Sequence, residues 1–249
     1  MISIHPRRLL RALALFVLGL TVVNLAVQTA NFFLGYPNLW GLTRLFDVNE
    51  ENNIPTWYSS TALLICGILL WLISETKRQR GDRHVKHWRG LSVIFLLLSL
   101  DETASLHDLF NSIGFAINAS GFFFFIWVIP GAVFVLSILL VYWKFLMQLP
   151  AKTRYLIFAA GIIYVFGALG LEMISGNYFD LVIRENLTEY SSGWNGMSMA
   201  LFLAVEEFLE MLGVLIFIAA LLSYISADLQ DIHARFSPEF PKSNPKGLK

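Results

Sequence analysis

Charge is what this sequence has least of. Only 14% of its 249 residues are Asp, Glu, Lys or Arg, where a soluble domain carries about 25%. That deficit excludes an ordinary solvated surface over most of the chain. The net charge is zero, so there is no basic footprint for nucleic acid, and none is expected as a partner. Cysteine is nearly absent. Cys66 stands alone inside an apolar run, which excludes an intrachain disulfide and fits a small packing residue. Histidine is scarce as well, and only His107 falls within a long apolar segment, which excludes a zinc site built on three histidines. What the chain has instead is hydrophobicity, at 56% of residues.

A membrane-spanning helix needs about 20 mostly apolar residues. Six segments meet that need, at approximately 12–34, 57–74, 90–110, 121–143, 154–175 and 198–224. The third is the most polar. The first follows Arg7, Arg8 and Arg11 but is too long for a signal peptide, so it reads as a retained helix. The fold class expected is all-α, a polytopic membrane bundle of about six helices. Its domain organisation is a transmembrane unit over 1–226 and a flexible cytoplasmic tail over 227–249, where Pro238, Pro241 and Pro245 alternate with lysines.

Orientation follows from the basic residues, which favour the cytoplasmic side. With six crossings, sixteen of the 18 Lys and Arg residues fall on one side, and Arg44 and Arg184 on the other. Lys77, Arg78, Arg80, Arg83, Lys86 and Arg89 alone fill the second connection. Both termini are therefore expected in the cytoplasm, and the compartment is expected to be the plasma (inner) membrane of a bacterium. Trp57 and Trp194 then mark the outer interface, and Trp71, Trp88 and Trp143 the inner one. The outer connections hold Asp47, Glu50, Glu51, Asp180, Glu185 and Glu189, where a solvated acid is ordinary.

The residues that carry chemistry are the acids within the spans. They are Asp101, Glu102 and Asp108, with His107, in the third segment, Glu172 in the fifth, and Glu206, Glu207 and Glu210 in the sixth. No Lys or Arg lies well inside any segment. A charge at mid-membrane costs at least about 2.5–3.5 kcal/mol, so seven carboxylates there must be protonated, hydrated or bound to cations. With the expected orientation all seven share the outer half of the membrane. Asn24, Gln28 and Asn31 of the first segment lie along one face, the last two at the same depth.

At about 100° per residue, Glu206, Glu207 and Glu210 fit an arc of about 100°, and Asp101, Glu102, Ser105 and Asp108 one of about 120°. His107 points well away from its neighbours' arc. Either the helix distorts near His107, or His107 lies outside the site. Gly167 and Gly170 precede Glu172 and would let another helix approach closely.

Carboxylates with one imidazole suit a divalent Fe, Mn, Mg or Ca ion. The eight residues are therefore expected as a metal site, in a protein that could be a metal-dependent membrane enzyme acting on a lipid or another hydrophobic molecule. No Glu-x-x-His of the di-iron bundles occurs, and the multi-histidine motifs of membrane desaturases are absent. A proton- or cation-coupled transporter would use the same acids. A faint likeness between Leu98–Glu102 and Leu203–Glu207, in oppositely directed helices, would suit its inverted repeat. A structural subunit without chemistry is the third reading.

Overall fold

The computed structural model describes residues 6–36, 39–48, 50–184 and 193–236. The fold is all-α. Its helices are α1 (Pro6–Leu34), α2 (Leu42–Phe46), α3 (Ile54–Gln79), α4 (Val85–Ala104), α5 (Asp108–Ala116), α6 (Val128–Met147), α7 (Ala151–Val165), α8 (Glu172–Arg184) and α9 (Gly193–Phe236). One π turn, Phe166–Leu171, joins α7 to α8 without interrupting the rod.

Among the described residues, five helical stretches are long and apolar enough to cross a membrane: Pro6–Leu34, Ile54–Gln79, Val128–Met147, Ala151–Val182 and Gly193–Asp228. Four of the expected segments differ from what forms. The third stops at Ala104, carries Arg89, Asp101 and Glu102, and is not among the five. The fourth begins at Val128, after a short 3-10 turn at Gly121–Phe123. The fifth continues through α8, so Asp180 sits on a helix, where its carboxylate accepts a hydrogen bond from Gly121 N at 2.8 Å. The last helix extends to Phe236. The rest of the expected tail, with Pro238, Pro241 and Pro245, and the loop acids Glu185 and Glu189 lie outside the described residues.

Local sequence explains the main joints. Asn53 caps α3 by accepting from Thr56 N at 3.1 Å, and its amide donates to Asp47 O and Glu50 O. A side-chain acceptor there satisfies one of the free N–H groups that every helix start exposes. Hydroxyls zip α3 to α4. Ser92 Oγ donates to Gly67 O at 2.7 Å, and Ser99 Oγ to Ser60 O at 2.8 Å. In a membrane, small residues and such bonds replace the hydrophobic drive that water would supply. Gly213 does the same between α9 and α7, because a β-carbon there would stand 3.0 Å from Ala160 O.

The core lies toward the α3–α4 turn, where Leu70, Trp88, Phe145, Ile218 and Leu221 are fully buried. Trp88 is thus a core residue, edge-on to Phe145 at 5.0 Å, and not an interfacial one. Trp57, Trp71, Trp143 and Trp194 are exposed. Cys66 is buried and free. At the same end Asp228 of α9 pairs with Lys77 at 2.8 Å and Arg80 at 2.7 Å, which ties the long last helix to the α3–α4 turn. The opposite end, between α4, α6, α7 and α9, is hollow.

Candidate metal centre

A break in the helix builds the centre. Ser105 takes the left-handed conformation (φ 48°, ψ 45°) and ends α4. That conformation is uncommon for any residue but glycine. Its hydroxyl is held by the Glu51 carboxylate. The chain then turns back on itself. His107 N donates to Asp101 Oδ1 at 2.8 Å, and His107 Nδ1 lies 3.1 Å from Asp101 Oδ2. Of the two alternatives open for His107, distortion of the helix is the one found.

With Nδ1 engaged by Asp101, the other ring nitrogen is the free one. Nε2 points to Asp108, 3.8 Å from Oδ1, and Asn111 Nδ2 holds that same oxygen at 3.0 Å. Glu51, His107 and Asp108 each place a ligand atom within 4.8 Å of the other two. Such a Glu–His–Asp cluster can coordinate a divalent ion. A carboxylate behind a ligating histidine is the usual support for it, fixing tautomer and ring orientation. Trp127 flanks the imidazole at 5.0 Å, and its indole N–H donates to Glu172 Oε1 at 3.0 Å. The indole thereby links the cluster to α8.

All eight residues singled out in the sequence line one cavity of about 980 Å³. Glu206 is the most buried, 5% exposed, and its Oε2 is closed off with no hydrogen-bond partner among the described residues. It lies against Glu172 and Ser175. Glu207 neighbours Glu102, and Glu210 neighbours Glu207 and Glu102. The π turn sets this side of the wall, since a β-carbon on Gly167 would stand 3.0 Å from Glu210 Cγ and 3.1 Å from Glu206 O. Gly170 differs, facing Phe166 of its own turn.

Among the wall residues that sequence reasoning did not assign to it, four stand near the acids. Glu50 and Glu51 reach in from the loop before α3, Trp127 from the start of α6, and Tyr164 from α7 beside Glu210, Glu102 and Asp101. Loop acids carry no burial signal in a sequence. Tyr164 and Trp127 read there as apolar-run aromatics. Asn24, Gln28 and Asn31 are not on the wall. Asn24 instead accepts from Val48 N at 3.3 Å, securing the loop after α2.

Fold and site together define an all-α protein with several long apolar helices, as an integral membrane protein has, and with a carboxylate–histidine cluster able to hold a metal. Over residues 10–225 the chain matches the family described as a domain of unknown function, DUF8692, and it belongs to that family. No curated protein matches it. No solved structure matches it either.

Proposed function

We propose that this is a metal-dependent membrane enzyme acting on a lipid or similar amphiphile, with its metal held by Glu51, His107 and Asp108. Asp101 positions His107. Glu102, Glu172, Glu206, Glu207 and Glu210 supply a second bank of carboxylates facing the ion. In this reading α4 is the sixth span, both termini are cytoplasmic, and the acids lie in the outer half of a bacterial inner membrane. The sixteen-to-two distribution of Lys and Arg supports that orientation.

One observation carries the reading. The seven acids and one imidazole, joined by Glu50 and Glu51, share a single cavity whose wall has no Lys or Arg among the described residues. Uncompensated, so many neighbouring carboxylates repel each other, and burial disfavours each charge. Divalent ions relieve both effects. The rest of the wall favours an amphiphile over ion transport. Beyond Leu98 the cavity is lined by Leu91, Ile94, Phe95, Ile138 and Leu139, with Tyr142 as the polar side chain at that level, and a path for ions would need a chain of polar groups there.

The test is metal analysis of detergent-purified protein, with His107→Ala as control. We expect about one to two equivalents of a divalent ion, as hard-ion sites of this carboxylate number would take. Chelation should lower the melting temperature, because a ligand bound only to the native state stabilises it. Metal-free protein that ignores chelators and whose stability changes steeply with pH would sink the metal reading in favour of a proton-coupled transporter.

A further inference from the structure

The cavity does not end with the acids. From Asp101 and Glu102 its wall runs down α4 to Leu91, and on α6 it runs from Gly131 to Leu146. At 1.5 Å per residue these stretches are about 16 Å and about 22 Å long. That is at least half of a hydrocarbon core of about 30 Å. The lower part is faced by Ile138, Tyr142, Phe158, Gly161, Val214 and Phe217. Beyond it Phe145 of α6 meets Trp88 of α4 edge-on. Helix α6 leans on α7 and the π turn and leaves this slot between itself, α4 and α9. An acidic chamber thus opens into an apolar shaft.

We propose that the shaft holds the hydrocarbon chain of a single-chain lipid whose head is a hydrogen-bond donor and not an anion, such as a hydroxylated or polyol head. The proposal rests on the reading above and names its substrate class. Two features select the occupant. Length and apolar lining select a chain on the scale of one leaflet. Charge selects the head. The chamber carries nine carboxyl groups, more than one or two divalent ions can neutralise, so an incoming donor finds acceptors there and an incoming anion is repelled. The chain would anchor the amphiphile, and the carboxylates of the chamber wall would take a proton-bearing group of its head.

Gly161 allows a clean test. It lines the shaft, and a β-carbon there would meet nothing within 4 Å, so a larger side chain fills the slot without touching the acids. The full chain is reconstituted in phosphatidylcholine nanodiscs and exposed to a monoacylglycerol with a diazirine in its acyl chain. Lysophosphatidate with the same chain is the matched anionic probe. Labelling is mapped by mass spectrometry, and metal content is measured in each sample. The monoacylglycerol should label α6 and α7 at the level of Ile138 and Phe158. Gly161→Phe should cut that labelling about tenfold, the effect of denying burial to roughly two methylenes. Gly161→Ala should leave it, and neither variant should change metal content. Equal labelling by lysophosphatidate would overturn the assigned head. Labelling that ignores Gly161→Phe, or that falls only on the lipid-facing side of α1, would overturn the shaft. Labelling of the shaft in protein without metal would uphold this inference while removing the metal reading.

Discussion

Asp101 and His107 divide one task between them, and substitutions should separate their parts. His107→Gln removes a ligand and is expected to abolish binding of a divalent probe such as Mn. Asp101→Asn keeps the ligand but loosens its orientation, and is expected to weaken binding by about 10–100-fold, the usual effect of removing a carboxylate behind a ligating histidine. Competitive titration against a chelator of known affinity distinguishes the two, and equal losses would contradict the division. Glu51→Gln should likewise lose metal while Glu50→Gln keeps it, since only Glu51 joins the ligand group. The sequence made the acids of the spans legible because a charge inside an apolar run is costly and therefore conspicuous. Glu51 was not legible, since an acid in a loop is commonplace. His107 left half a clue. Its phase was wrong for a regular helix, but nothing in Ser105 announced the left-handed turn that corrects it.

Among the elements, the π turn before Glu172 sets how closely α7 and α9 approach. Gly167 is the residue on which this depends, because its missing β-carbon is what admits Glu210 and the Glu206 carbonyl. Gly167→Ala should destabilise the protein by about 1–3 kcal/mol, as overpacking of a tight contact does, and should weaken metal binding through the displaced acids. Unchanged melting and metal content would show that α9 can yield there. The need for close approach was readable from the glycines, but the π turn itself was not, because its residues are as apolar as those of an α-helix. A second prediction concerns the start of α4. His87 stacks on Phe145 with ring centroids 5.0 Å apart. Burial, with His84 beside it, holds the imidazole below its ordinary value of 6.5. The unfolded chain therefore binds the proton more readily, and stability falls as pH drops through that ordinary value toward the lowered one. Thermal melts at a series of pH values should show the loss in the wild type and a smaller one in His87→Gln. A slope unchanged by that variant would exclude His87 as its source.

For the whole molecule, topology is the first property to settle. Reporters fused after Lys86 and after Lys152 are expected to read as cytoplasmic, and one near Glu51 as external, because an even number of spans places the basic connections on one side. An external readout after Lys152, with Lys86 still cytoplasmic, would remove α4 from the set of spans. The bundle as a class was legible in hydropathy alone. The hollow end was not, since Phe134, Ile138 and Leu139 look the same in a sequence whether they face lipid or an internal space. That space has a preparative consequence. Common solubilising agents are single alkyl chains on uncharged sugar heads, which is the chemistry the shaft selects. Extraction would then load the protein with a surrogate occupant, present in vast excess over any native one. Melting temperature and turnover should vary with the alkyl length of the surfactant at a fixed head, and transfer into a polymer-bounded native disc should release the block. Measurements in long-chain sugar surfactants would otherwise describe a plugged protein.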